Sequence, residues 1–287
     1  MTAPALRPVA HHPALLLPGG AFGPTELAVA DLHLGLGAVG AHGGGLAGPI
    51  AEAMADELLG IAAGERARGV VVVGDVKHPI VGAPPPVGRL LFGFFSRLLD
   101  DGLEVRVIPG NHDAGLARHL PREVELLPVG GLLRGPVGLF HGHAHPAPAL
   151  SAARTLVVGH LHPGYRLAPG RFPGDGKQRC WIRSTGPRGP DRPNGGPGIK
   201  AREVIVLPAF NPISGIEPLN DRRPAAGRAF LLDRYLAPGR SRAYLLDGAD
   251  LGELSLARGG DRVGAPRSVA TGPAPEPRRR RGSPRDR

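Results

Sequence analysis

The sequence predicts a single α/β domain built on two β-sheets, and three observations carry that expectation. Between residues 26 and 108, short apolar runs alternate with segments of helical periodicity. Helices between strands imply right-handed crossovers and a parallel sheet. After about residue 120, apolar runs follow one another with no clear helix between them, which implies a second sheet packed on the first. The chain, at 287 residues, is also long enough to bury an ample core.

Taken in order, "ELAVAD" (26–31) is a short apolar run that stops at a carboxylate. A helix is expected from Pro49, a good first-turn residue, with Ile50, Met54, Leu58 and Ile61 on one face. "GVVVVGD" (69–75) is wholly apolar and β-branched, the pattern of a strand buried on both faces. A second helix is expected over about 87–100, where Val87, Leu90, Leu91, Phe94, Phe95, Leu98 and Leu99 keep an i, i+3, i+4 rhythm. "LEVRVI" (103–108) is the third strand. Shorter β-like pieces follow at 124–129, 136–142, 155–160, 179–184 and 202–210. The segment 185–202 reads as an inserted loop. The domain is expected over 10–257, followed by a disordered Arg-rich tail at 258–287.

The formal charge of +10 is unevenly placed. Residues 262–287 carry eight Arg against Glu276 and Asp286. Residues 183–202 carry Arg183, Arg188, Arg192, Lys200 and Arg202 against Asp191. These segments account for the whole excess, so the body is neutral with two basic appendages. The tail could neutralise the phosphates of DNA or RNA, or be no more than an arginine-rich composition. One cysteine, Cys180, excludes an intramolecular disulfide and argues against an oxidising compartment. It reads as a small buried residue beside Trp181. No apolar run approaches the roughly 20 residues that span a bilayer, and a cytoplasmic protein is expected. Gly35, Gly37 and Gly40 match G-x-G-x-x-G, but in a chain with 45 glycines such a match is cheap.

Five polar clusters stand where strands should end: "ADLHLG" (30–35), "GDVKH" (74–78), "GNHD" (110–113), "HGH" (141–143) and "GHLH" (159–162). Each alone is weak, because an Asp-x-His is usually a turn. Together they bring Asp, Asn and His to the edge where α/β folds build their sites. An oxygen and imidazole set without thiolates suits Mn²⁺, Fe²⁺ or Zn²⁺ in a reactive rather than a structural site. It is too large for one ion. Two ions about 3.5–4 Å apart with a bridging carboxylate would use it, an arrangement suited to phosphate-ester hydrolysis.

The ordered series D-x-H, G-D-x-x-H, G-N-H-D, H-G-H and G-H-x-H resembles the calcineurin-like metallophosphoesterase superfamily. "GHLHPGYRL", "RCWIRS" and "VLPAFNPISG" (206–215) are similar to archaeal-type phosphoesterases related to the SbcD-class repair nucleases. The bacterial DNA-ligase-associated metallophosphoesterases share the D-L-H-L-G and G-H-L-H-P wording. The resemblance runs from about Leu15 to Asn220 and implies a four-layer α/β/β/α sandwich. It further implies that Asp31, His33 and His162 bind one metal, that Asp75 bridges two, and that Asn111, His141 and His160 bind the second. Mn²⁺ is the leading choice, with Fe²⁺ or Zn²⁺ as alternatives. A metal-bridging hydroxide would attack phosphorus in a phosphodiester. His112 would serve the leaving oxygen as acid, Asp113 would orient His112, and Gly110 would let the chain turn. His143 and His145 remain alternatives to His141 or substrate contacts, and His78 is either a supporting residue or an exposed one. A second reading is a nucleic-acid-binding repair accessory factor or nuclease whose small-substrate activity is secondary. A repair nuclease proper would carry a cap domain, for which residues 220–287 look too short.

Overall fold

Residues 6–21, 23–37, 45–167, 176–186, 201–220, 235–236 and 239–254 are described by the structure, a computed structural model of the chain. The inserted loop from 187 to 200, the tail from 258 onward, Gly40 and His42 lie outside the described residues.

The first sheet takes β1 (Arg7–Pro8), β2 (Leu15–Leu17), β3 (Glu26–Val29), β4 (Gly69–Val73), β5 (Glu104–Ile108) and β6 (Glu125–Leu126), side by side in that order. From β3 to β6 it is parallel, as the alternation predicts, and β1 and β2 add an antiparallel edge. Helix α1 (Ala47–Glu65) links β3 to β4, and α2 (Pro85–Asp100) links β4 to β5. Both expected helices form, each starting two residues early; α2 opens on prolines, whose fixed φ suits a first turn and whose missing N–H is not needed there.

The strands alternate strictly, yet both faces are apolar because both are covered. Leu27, Val29, Val70, Val72, Val105 and Val107 face α1 and α2, where Met54, Leu58, Leu91, Phe95 and Leu98 meet them. Ala28, Ala30, Val71, Val73 and Ile108 face the other way, into a second core shared with Val137, Leu139, Val157, Trp181, Ile205 and Leu207. Burying each Val is worth roughly 1.5–3 kcal/mol, so this doubly covered strand set is the stable base of the molecule.

The second sheet contains β7 (Leu132–Arg134), β8 (Val137–Phe140), β9 (Thr155–Val158), β10 (Pro163–Arg166), β11 (Lys177–Thr185), β12 (Glu203–Val206) and β13 (Glu217–Pro218). Their order is β13-β10-β11-β12-β9-β8-β7, and a hairpin of β14 (Ser241–Leu245) and β15 (Asp250–Glu253) joins β11. Here too the central strands β8, β9 and β12 run parallel. The outer face of this sheet packs Phe140, Leu156, Val158, Ile182 and Val206 against Leu150, Tyr235 and Leu236. Leu150 belongs to a 3-10 turn, Pro148–Ala152. The layers are thus α/β/β, and among the described residues the expected fourth layer is made of short pieces rather than long helices.

The strands are shorter than the apolar runs suggest. β3 stops at Val29, not Asp31; β4 at Val73, not Asp75; β9 at Val158, not His160. The physical reason lies in the last residues of each run, which turn into left-handed backbone and leave the ladder. No helix among the described residues is long and apolar enough to cross a membrane.

Candidate metal centre

Seven non-glycine residues among those described have positive φ, and five of them are expected ligands: Asp31 (57°), His33 (40°), Asp75 (49°), His160 (71°) and His162 (43°). Left-handed backbone costs an L-residue roughly 1–2 kcal/mol. It is held here because the surrounding hydrogen bonds over-determine it. Asp31 N–H donates to the Gly74 carbonyl at 3.0 Å, His33 N–H to the Asp75 carbonyl at 2.8 Å, and His160 N–H to the Asp31 carboxylate at 3.1 Å. Each loop is pinned by the next. The two sheets meet at this end, where Ala30 and Ala209 form a parallel bridge.

Two glycines permit the approach. A Cβ on Gly74 would lie 2.2 Å from the His141 ring, and one on Gly110 would lie 2.2 Å from the Asp75 carboxylate. Gly110 was expected to supply a turn; it is required instead by this contact, since its φ is not among the positive values.

The side chains converge on Asp75. On one side Asp31, His33, Asp75 and His162 bring ligand atoms within 4.8 Å of one another; on the other Asp75, His141 and His160 do the same. His33 Nε2 stands 3.0 Å from His162 Nε2 and 3.7 Å from Asp75 Oδ2, and His162 Nε2 is 3.5 Å from Asp31 Oδ1. His141 Nε2 is 3.3 Å from Asp75 Oδ1 and 3.3 Å from Asn111 Oδ1. All seven expected ligand residues therefore gather at one site. Asp31, Asp75 and His141 are fully or almost fully buried, while Asn111 is exposed.

Backbone carbonyls select the tautomers. His141 Nδ1–H donates to the Val73 carbonyl and His162 Nδ1–H to the Gly215 carbonyl, each at 2.9 Å. Each ring therefore turns Nε2 inward, the nitrogen whose lone pair a metal ion would take in place of the proton. Burial, reinforced by neighbouring His162 and His112 against the pull of Asp31 and Asp75, lowers His33 to about 4. Burial also lowers His160 to about 4. Burial opposes a charge on His141, but the Asp75 hydrogen bond and the Asp31 charge prevail and raise it to about 9. Burial likewise disfavours the Asp75 anion; His141 and the His112 amide outweigh it and hold the carboxyl well below its usual range. Converging imidazole nitrogens and carboxylates make a site for cations, and the donor chemistry fits divalent metal ions.

His112 sits at the mouth, half-buried. Its N–H donates to Asp75 Oδ1 at 3.0 Å, its Nδ1–H to the His78 carbonyl at 2.5 Å, and its Nε2 lies 3.9 Å from Asp75 Oδ2. The expectation that Asp113 orients this ring is corrected. The Asp113 carboxylate accepts from the amides of Gly110 (2.8 Å), Val76 (3.1 Å) and Lys77 (3.1 Å), and so ties the β4 and β5 loops together. A carboxylate placed just beyond a strand end satisfies orphan amides more readily than it reaches a neighbouring ring.

His78 is half-buried, its ring edge-on to His33 and stacked near His112 with centroids 5.6 and 5.9 Å apart. His143 tilts against His141 at 5.2 Å, and its buried Nδ1 has no hydrogen-bond partner. His145 is exposed. Three supporting residues were not among the expected site residues. Asn211 donates to the Leu32 carbonyl at 2.8 Å and accepts from Ile213 N–H at 3.0 Å, bracing the D-L-H loop from "FNPISG". Arg179 donates to the carbonyls of Ala209 and Phe210, each at 3.1 Å. Lys77 is fully buried beside Asp75. All three lie in stretches singled out in the sequence, "VLPAFNPISG", "RCWIRS" and "GDVKH", but residue type assigns none of them its supporting contact.

No protein-family model matches the sequence, and no curated protein does. Among solved structures, a Pseudomonas putida nuclease MPE is similar at 22% identity and TM-score 0.49, covering 86% of this chain and 100% of that one. Yfce, a phosphoesterase from E. coli, is similar at 16% identity and TM-score 0.34, covering 81% and 99%. A conserved Streptococcus pneumoniae protein described as a predicted phosphoesterase is similar at 14% identity and TM-score 0.25, covering 77% and 97%.

Proposed function

We propose that this protein is a divalent-metal-dependent phosphoesterase of the calcineurin-like metallophosphoesterase type, acting on phosphodiesters. One observation carries the reading: Asp75 belongs to both ligand groups, with Asp31, His33 and His162 on one side and His141 and His160 on the other. Asn111 joins the second group through its contact with His141. Divalent ions held there would supply charge that attracts phosphate oxygens and lowers the pKa of water. Mn²⁺ suits the mixed oxygen and imidazole donors, with Fe²⁺ and Zn²⁺ as the other choices.

The chain's own residues do the rest. The carboxylates of Asp31 and Asp75 offset part of the cationic charge. His112 offers Nε2 at the mouth while its Nδ1 proton is committed to the His78 carbonyl, so a protonated ring would give its Nε2 proton to the departing oxygen. Asp113 keeps the loop that carries His112 against the Asp75 loop.

Purified protein with Mn²⁺ should hydrolyse bis-p-nitrophenyl phosphate, and Asp75→Asn should abolish the activity together with metal binding. Full turnover in EDTA, or in Asp75→Asn, would sink the reading.

A further inference from the structure

Lys77 is the only fully buried lysine among the described residues, and its position two residues past the bridging carboxylate is unusual for an ammonium. Burial lowers its pKa, and the charges of Asp113 and Asp75 act the other way. Its Nζ donates to three backbone carbonyls: those of Pro79, of Ile80 (3.2 Å) and of His112. An ammonium has three protons, so its donors are saturated.

The acceptors belong to two loops. Pro79 and Ile80 continue the β4 loop beyond His78; His112 lies on the β5 loop. Asp113 joins the same loops by their amides, and Lys77 joins them by their carbonyls. His78, whose carbonyl receives the His112 Nδ1 proton at 2.5 Å, lies between Lys77 and the two residues its ammonium holds. The ammonium therefore fixes both ends of the bond that sets the His112 ring: the peptide that carries the ring, and the turn that carries its acceptor.

We propose that Lys77 is a positioning residue that aims His112 Nε2 at the leaving oxygen. The inference rests on His112 acting as the acid, and the test separates the two. Proton donation matters most when the leaving group is poor. General acids contribute roughly 10²–10⁴-fold, and misplacement by about 1 Å can cost about 10²-fold. Lys77→Met and His112→Ala would be compared with the parent on bis-p-nitrophenyl phosphate and on diphenyl phosphate, whose phenoxide leaves less readily. Metal content would be measured in each.

Lys77→Met is expected to keep its metal and to lose kcat on diphenyl phosphate by on the order of tenfold or more beyond its loss on the nitrophenyl ester. KM should change little. Combined with His112→Ala it should add almost nothing further, since both variants remove one function. In metal-free protein the His112 Nδ1 proton should exchange faster in Lys77→Met, by NMR. Equal losses on both substrates, or losses that multiply in the double variant, would make Lys77 merely structural and overturn the proposal. If His112→Ala itself shows no leaving-group dependence, the acid assignment fails instead. Should Lys77→Met not fold, Lys77→Gln, which keeps an amide donor without the charge, decides by the same ratio.

Discussion

At Asp31, His33, Asp75, His160 and His162 the backbone is left-handed, and the same five residues make up most of the proposed ligand set. Strain of this kind, of order 1–3 kcal/mol each, persists where a site needs an orientation that relaxed backbone does not give. The residue types were legible in the sequence; the strain was not, because Asp and His follow many conformations. The opposite case is Cys180, which is fully buried next to Trp181 as its neighbours suggest. Burial pushes its thiol up to about 12. The folded pKa is raised, so the group stays a neutral thiol at pH 8, whereas an unfolded cysteine titrates at about 8.5. Native protein should therefore resist a disulfide reagent at pH 8 and react fully once denatured. Stoichiometric labelling of the native protein would contradict this.

At the scale of elements, the long periodic segments were readable and the edges were not. The valine run of β4 and the Leu/Phe rhythm of α2 each satisfy one strong pattern, whereas β1 and β13 have two residues apiece and no period to detect. The end of β3 away from the site and the middle of β5 are joined by charges that the pattern did not connect. Glu26, nearly fully buried, accepts two bonds from Arg106 at 2.5 and 2.6 Å, and Arg134 of β7 in the second sheet approaches it at 3.0 Å. Removing one member leaves buried cations uncompensated, which costs about 3–5 kcal/mol. Arg106 is partly open to solvent, which places Glu26→Gln near the lower figure. The variant should unfold at markedly lower urea while its folded fraction keeps its turnover. An unchanged midpoint would show that the triad contributes nothing net.

At the scale of the molecule, the site exists because two parallel strand sets end at one edge. β3, β4 and β5 deliver Asp31, Asp75 and His112; β8 and β9 deliver His141 and His160. The eight Arg of residues 262–287 bear on this scale through their charge. If they grip nucleic acid, deleting 262–287 weakens binding to single-stranded DNA. The log–log slope of affinity against salt should also flatten, by roughly 0.7 for each phosphate that is no longer neutralised. Turnover of bis-p-nitrophenyl phosphate should be unaffected. Unaltered affinity and slope would remove the tail from any account of nucleic-acid binding.

The alternating α/β order, the two sheets, and the five polar clusters with their donor types were readable from the chain alone, because these rest on periodicity and on side-chain chemistry. Which atoms meet emerged only from the folded chain. It placed Asp75 in both ligand groups, gave the His112 proton to the His78 carbonyl instead of Asp113, and put the Lys77 ammonium among three carbonyls. The last two depend on the β4 and β5 loops, about 35 residues apart in the chain, closing on one another; the first also draws His141 and His160 from the second sheet, and no local pattern encodes such distances.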